Sequence, residues 1–330
     1  MQISMKELDE LTGRAVRSFG YRPDEVEIIK DVLLYAQLRN NNQGVVKLIG
    51  GGIPRNPLAG EIVVEKQTPL SAWINGNKNH AMVVVGKAVE MVKEKATRSG
   101  FAIAGTYNTN TSSGAIGYYA SRLADAGLIG FAISRSPERV AVHGSFEPIF
   151  GTNPLAVAIP ARPDPVVLDM STAATSFFGL VEAKTAGRSI PDDMAYDRQG
   201  LPTTDPQRAI EGAIRSFDRG YKGSGLALIC EILAGPLVGA AYCGIGDSKG
   251  NWGHLIFAID PELLAGREHL VGSVTELVAK VKSTKRLPGV DEIFAPGERE
   301  SRLARERDAT GLVEVEDNLL AGLRQVAAKG

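Results

Sequence analysis

The chain has 330 residues, 44% hydrophobic and 23% charged, enough to bury a large core in one domain or in two interleaved ones. Lys and Arg number 37 against 38 Asp and Glu, and the resulting net charge of -1 gives no general attraction to nucleic acid or an anionic membrane. Cys230 and Cys243 lie in an apolar stretch without metal-ligand spacing and read as a reduced, buried pair in a cytoplasmic protein. Met1 to Lys6 shows no apolar run of signal-peptide type.

In chain order, Ser4 and Glu7 form a capping-box pattern, and Leu8, Leu11, Ala15 and Phe19 share one face of the helix that follows. Pro23 opens a second helix with Val26, Ile29, Leu33 and Ala36 inward. A polar turn, Arg39 to Gly44, ends it. Short β-branched runs then predict strands at 62–64, 101–105, 128–133, 139–143, 155–159, 166–168 and 255–259. Helical patterns fall at 80–98, 114–126, 222–241 and 261–282. Several strands between 128 and 168 follow one another without a helix, so the sheet should be mixed or largely antiparallel. The apolar stretch from Gly225 to Gly244 is long enough for a bilayer, but Glu231 and Pro236 favour a buried, kinked core helix. The charged C-terminal region is expected to wrap the surface.

The dinucleotide fingerprint G-x-G-x-x-G between a strand and a helix is absent, and Gly244-Ile245-Gly246 does not supply it. Four other segments carry site-like chemistry. Thr152 and Asn153 lie in a Gly-Thr-Asn-Pro turn between strands, which alone reads as a plain turn. The loop Asp169-Met170-Ser171-Thr172-Ala173-Ala174-Thr175 offers small hydroxyl residues beside backbone N–H groups, suited to phosphate or ribose. Tyr221, Lys222 and Gly223 open an apolar helix, where an anion site and a simple capped start are equally good readings. Asp192, Asp193 and Asp197 crowd three carboxylates together, either as a site or as a solvated turn. None of the four histidines has a ligand-spaced partner, so no metal is expected, and only His143 is a site candidate.

Taken in order, GAIGYYA (Gly114 to Ala120), GLIGFA (Gly127 to Ala132), FGTNPLAVAIP (Phe150 to Pro160), LDMSTAATS (Leu168 to Ser176), GLPTTDP (Gly200 to Pro206), GYKGSGL (Gly220 to Leu226) and PGERE (Pro296 to Glu300) resemble the malate/L-lactate dehydrogenase-like oxidoreductases. The resemblance implies an α/β (α+β) fold whose nucleotide-binding domain is not of Rossmann type, with helical N- and C-terminal portions and a homodimeric state. It implies a division into a substrate-side region at 1–105, a cofactor-binding sheet domain at 106–260 and C-terminal helices at 261–330 that pack back on the first. It also places NAD(P)H at Asp169 to Thr175, Tyr221, Lys222 and Gly297-Glu298-Arg299, and matches Asp197 to an active-site aspartate.

Departures from the family's pattern fall on the catalytic residues. The usual S-H-G-V-x-R reads Asn42-Gln43-Gly44-Val45-Val46-Lys47 here, with Gln43 in place of the proton-donating histidine and Lys47 in place of the arginine. A second family histidine is missing from the segment Asn108 to Ser113, and Arg135-Ser136 replaces the usual Asn-Ser. Reduction of a 2-keto acid needs a cation for the carboxylate and a proton for the alkoxide. Glutamine cannot release a proton near neutral pH, so Lys47, His143 or Ser112 with water is the candidate donor. A cyclic 2-imino acid substrate would bring its own proton as the iminium. A dinucleotide-binding protein with little redox activity is the reading from another class.

Overall fold

The computed structural model describes residues 1–330. Strand β1 (Gln2–Ser4) runs into α1 (Met5–Arg17), where Ser4 Oγ accepts from the Glu7 N–H at 3.1 Å. Only half of the expected capping box forms, because the Glu7 carboxylate turns to Arg324. Helix α2 (Pro23–Leu38) buries Val26, Ile29, Leu33 and Ala36 as its periodicity requires. A single turn, α3 (Val46–Ile49), follows the polar loop.

Next come β2 (Val63–Gln67), β3 (Ser71–Asn75), α4 (Ala81–Ser99), β4 (Phe101–Thr109), α5 (Gly117–Asp125), β5 (Ile129–Ser134), β6 (Val140–Ala141), β7 (Pro148–Phe150), β8 (Leu155–Ile159) and β9 (Val166–Met170). After them lie α6 (Phe177–Thr185), β10 (Ala195–Tyr196), α7 (Pro206–Glu211), β11 (Ala213–Ile214), α8 (Tyr221–Ala234) and β12 (Trp252–Ile259). The chain ends with α9 (Arg267–Lys282), α10 (Glu298–Thr310), β13 (Leu312–Glu314) and α11 (Asp317–Ala327).

The main sheet has seven strands in the order β2-β3-β4-β12-β5-β8-β9. Only β3 and β4 are parallel; every other pair is antiparallel, as the run of strands without intervening helices demanded. Ala102, Ala104, Ala132, Ala156, Ala158 and Ala258 make a floor of small side chains in the core that α4 and α5 share. The approach is close: a Cβ on Gly130 would lie 2.6 Å from the Ala120 carbonyl. The alternate residues Ile103, Tyr107, Ile133 and Leu255 meet Cys230, Ala234 and Val238 of α8 and the turn beyond it. A four-stranded sheet, β10-β11-β6-β7, flanks α6 and α7. The proposed boundary at 105/106 falls inside β4, and the one at 260/261 follows β12 directly.

Three expectations need correction. The stretch 222–241 is not one kinked helix: α8 stops at Ala234, and a 3-10 turn, Pro236–Val238, follows, because Gly235 and the proline cannot continue the α-helix. At 14 residues it reaches about 21 Å, short of a bilayer core of about 30 Å. It is also buried on only one face, with Leu228, Ile229 and Ile232 exposed. The C-terminal region does more than wrap the surface: Leu320, Leu323 and Ala327 of α11 are buried against α1, and β13 pairs with β1. Both cysteines are free, but Cys243 is only half-buried.

Two histidines lie wholly inside. Burial pushes His80 and His254 down to about 3, with the charges of Lys47 and Arg135 respectively adding to the effect. An unfolded histidine protonates near 6.5, so these groups contribute stability that is present above pH 6.5 and lost as pH falls toward 3. Asp169, pushed up to about 6, works in the opposite sense below that pH, as do Asp31 and Asp125, whose carboxyls burial raises, while the lowered carboxyls of Glu90 and Glu138 act with the two imidazoles. The urea midpoint should therefore drop between about pH 6.5 and 4.5, at up to about 1.4 kcal/mol per pH unit for each histidine. A midpoint flat across that interval contradicts the burial of neutral imidazoles.

Candidate active site

The polar loop after α2 is held by its own side chains. Asn41 Oδ1 accepts from the Gln43 N–H at 2.9 Å, and Gln43 Nε2 donates to Asn42 Oδ1 at 2.9 Å. Asn42 Nδ2 in turn donates to Ser176 Oγ at 3.0 Å, and Ser176 caps α6 by accepting from the Gly179 N–H. The single turn α3 then carries Lys47 inward to 0% exposure. Its Nζ donates to Ser112 Oγ at 3.1 Å and stands 4.2 Å from the centre of the Phe178 ring. Ser112 Oγ also accepts from the Gly114 N–H, which fixes the hydroxyl.

No carboxylate makes an ion pair with Lys47, and burial alone pulls its amine down to about 7. At neutral pH it is therefore divided between ammonium and amine. His80, the N-terminal cap of α4, is buried nearby and feels the Lys47 charge. Its Nδ1 accepts from the Met82 N–H, which assigns the ring proton to Nε2, the nitrogen that faces the Gly52 backbone.

Lys47 and Ser112 thus meet against Phe178 of α6, and Gln43 is tied to the start of the same helix through Asn42 and the Ser176 cap. His143 does not join them. It is exposed, its N–H donates to Ser224 Oγ, and its ring sits 6.5 Å from that of Tyr221. Asp197 is 8% exposed, and its Oδ1 accepts from the N–H groups of Gln199 and Leu201, which makes it a turn anchor in the small sheet.

The cofactor candidates divide in the same way. Asn153 is wholly inside, its amide donating to Glu231 Oε2 at 2.6 Å and the Ala227 carbonyl at 3.3 Å. Ser171 and Thr172 both donate to the Thr152 carbonyl at 3.0 Å, and Ala174 N–H to the Arg215 carbonyl at 2.8 Å, so the loop from Asp169 to Thr175, with Met170 and Ala173, is braced from within. The start of α8 is capped: Asp218 accepts from the Gly220 and Gly223 N–H groups, and these lower its carboxyl. At Tyr221-Lys222-Gly223 the helix start is capped in this way, and the Lys222 side chain is exposed beside it. Glu298 is held by Lys282 and Arg302, and Arg299 covers the Phe294 ring at 4.2 Å.

A cleft of about 190 Å³ opens where the end of α2, β9 and the start of α10 meet. Tyr35, Arg39, Asn41, Asp169, Gly297 and Glu300 are among its lining residues. The Arg39 guanidinium lies 3.8 Å from the Tyr35 ring centre and has no carboxylate partner. Asp169 Oδ2 accepts from the Gly117 N–H at 2.9 Å, and crowding by surrounding atoms pushes its carboxyl up to about 6 although the residue opens on the cleft. Gly297 turns at φ +76°, and a Cβ there would lie 2.7 Å from the Val167 carbonyl. The sequence did not single out Tyr35, Phe178 or His80, and it marked Arg39 only as the first residue of the polar turn after α2; the Ser176 cap ahead of two phenylalanines was the one legible signal for α6.

The family model described as malate/L-lactate dehydrogenase matches residues 3–324. The L-sulfolactate dehydrogenase of Methanothermobacter thermautotrophicus is 33% identical over 338 residues, 99% of this chain and 96% of that one. The Delta(1)-pyrroline-2-carboxylate/Delta(1)-piperideine-2-carboxylate reductase of Pseudomonas aeruginosa is 30% identical over 321 residues, 92% of this chain and 94% of that one. The solved sulfolactate dehydrogenase from Methanocaldococcus jannaschii superposes with a TM-score of 0.84 at 32% identity, covering 100% of this chain and 97% of that one. The chain belongs to the malate/L-lactate dehydrogenase family and is an oxidoreductase that works with a nicotinamide dinucleotide.

Proposed function

We propose that the chain reduces a small 2-keto acid with NAD(P)H, or oxidises the 2-hydroxy acid in reverse, and that Lys47 supplies both the charge and the proton. The observation that carries this is a fully buried lysine with no anionic partner and an amine near 7. Such a group is poised for proton transfer at neutral pH. An ammonium has three N–H bonds. Ser112 takes one, and two remain for the oxygens that a 2-keto acid presents side by side, one of its carboxylate and one of its carbonyl. As C2 is reduced, Lys47 gives its proton to the developing alkoxide. Ser112 holds the amine in place, and the Gln43 amide can orient the carbonyl without titrating.

The residues present fit a dinucleotide, which when bound supplies the hydride. The cleft at Asp169 combines an aromatic ring, a guanidinium without a carboxylate and a carboxylate, a set suited to a nucleoside and its sugar. Thr152, braced from beneath by the buried Asn153, and the loop from Asp169 to Ser176 would then hold the cofactor between the cleft and the Lys47 site, with Lys222 as the exposed cation for the diphosphate. Gly117→Ala would place a Cβ 2.7 Å from Asp169 Oδ2, so the carboxylate must move. The expected result is a rise of about tenfold in KM for the cofactor with little change in kcat, the size of one charge-assisted hydrogen bond.

Gln43 favours a second reading, reduction of a cyclic 2-imino acid, the chemistry named for the relative from Pseudomonas aeruginosa. A protonated iminium accepts hydride without a proton from the protein, so that activity would persist where Lys47 is neutral. The test is NADH and NADPH absorbance against paired keto and imino acids from about pH 5 to 10. Keto-acid turnover that declines above about pH 7 supports the first reading. Exclusive turnover of cyclic imines supports the second, and tight cofactor binding with no turnover across the panel returns the binding-protein reading.

We further propose a cytoplasmic homodimer. The supporting observation is the outer face of α8, where Tyr221 is 69% exposed and Leu228, Ile229 and Ile232 form an uncovered apolar patch beside Lys222. Light scattering at the monomer mass would count against the dimer.

A further inference from the structure

Helix α6 offers its first turn to a cation, the reverse of the usual arrangement. The N–H groups and the dipole at a helix N-terminus repel positive charge. Lys47 Nζ nevertheless lies 4.2 Å from the centre of the Phe178 ring, in that first turn. What the ammonium meets there is the face of the ring, whose π electrons attract a cation, and more strongly where water is excluded. Ser112 Oγ, at 3.1 Å, is its one hydrogen-bond partner in the protein. The ring is itself held in place. Phe177 stands nearly perpendicular to it, at 80° with the centres 6.3 Å apart, and Arg139 covers Phe177 with its Cζ 4.3 Å from that ring centre. No carboxylate competes for Lys47. Glu182 of α6 turns to Arg188; on α11, which packs against α3, Asp317 pairs with the N-terminal amine and Arg324 with Glu7. His80, at the start of α4, is the titratable group nearby, and burial keeps it neutral.

Resting on the function proposed above, we infer that Phe178 is a positioning residue for proton transfer: its ring face holds the Lys47 ammonium beside Ser112 before substrate binds. Burial without the ring would leave a larger share of Lys47 as the neutral amine, which has no acidic proton to give. Once a 2-keto acid is bound, its carboxylate becomes the main partner of the ammonium, and the ring matters less.

Two variants test this: Phe178→Leu keeps an apolar side chain and removes the π face, and Phe178→Trp keeps the face. Side-chain NMR of protein isotope-labelled at lysine follows the titration of Lys47 without any substrate, its resonance assigned by its loss in Lys47→Met. Lys47 should deprotonate about 0.5–1 pH unit lower in the leucine variant than in the parent, and no lower than the parent in the tryptophan variant. In turnover the defect should depend on pH. For keto-acid reduction by the leucine variant, kcat/KM should fall about three- to tenfold above the parent's limb and stay within about twofold well below it. The limb in kcat, set with the carboxylate bound, should move less. An unchanged titration, or a loss equal at every pH, would show that the ring only packs, and would overturn the assignment while leaving the reductase intact. Silence of the parent with every keto acid would overturn the function itself, while the titration still decides whether the ring holds the ammonium.

Discussion

Replacing Lys47 with methionine lowers kcat/KM for keto-acid reduction by about 10²–10⁴-fold, the range for loss of a general acid. The variant should nevertheless be at least as stable as the parent. Methionine keeps the length and apolar stem of the side chain, and the change removes an ammonium that burial disfavours. A variant that unfolds at lower urea would mean that the ammonium is held by partners that the structure does not contain. The pH profile carries a second signature. In the reduction direction the reactive form is the ammonium, so kcat/KM declines as pH rises through about 7, and in the oxidation direction it rises instead. A bound carboxylate stabilises the ammonium, so the limb in kcat should lie at higher pH than the limb in kcat/KM. Both limbs vanish in the methionine variant.

Glu231→Ala should cost about 3–5 kcal/mol of folding stability, because it leaves a buried guanidinium without its inner partner. Arg135 is 0% exposed; its Nε donates to Glu231 Oε1 at 3.4 Å and its other nitrogens to Glu138 and the carbonyls of Ser248 and Asn251. Glu231 also accepts from Asn153 and the Cys243 N–H, so the substitution strands two further donors. The Arg135→Met, Glu231→Leu double variant removes both charges of the pair and should recover part of the loss, the remainder lying with the stranded Asn153 and Cys243 donors and with Glu138, which loses its arginine. Urea unfolding of the two singles and the double measures this directly; additive losses would show that the pair is not coupled. Since Asn153 braces the loop at Thr152, the single variant should also raise the cofactor KM.

Elements with local signatures were legible. Strand β8 spans the predicted 155–159, and α2 buries the four residues its periodicity named. Strand β3 was not predicted: Ala72 and Ile74 do alternate inward, but SAWIN is short, follows Pro69 and owes its place to pairing with β4. Helix α8 was drawn too long because the apolar composition continues past the Gly235-Pro236 break. Helices α10 and α11 were expected only as unbounded C-terminal helices within 261–330, because the charged sequence there offered no clear period to place them. The site shows the same division. Gln43 and Lys47 stood out as departures from a familiar pattern. Ser112 is 65 positions from Lys47, and Phe178 is farther still, so no spacing in the sequence announces their contact. His143 drew attention through its place before a glycine, whereas the histidine near Lys47 is His80, which resembles an ordinary helix start.

The most direct measurement of the central claim is the fate of deuterium from NADH or NADPH deuterated at both C4 positions during keto-acid reduction. The account predicts one deuterium at C2 of the 2-hydroxy acid product by mass spectrometry, with turnover lost in the Lys47→Met variant. Cofactor that binds but transfers no deuterium to any keto acid, or full turnover without Lys47, would contradict it.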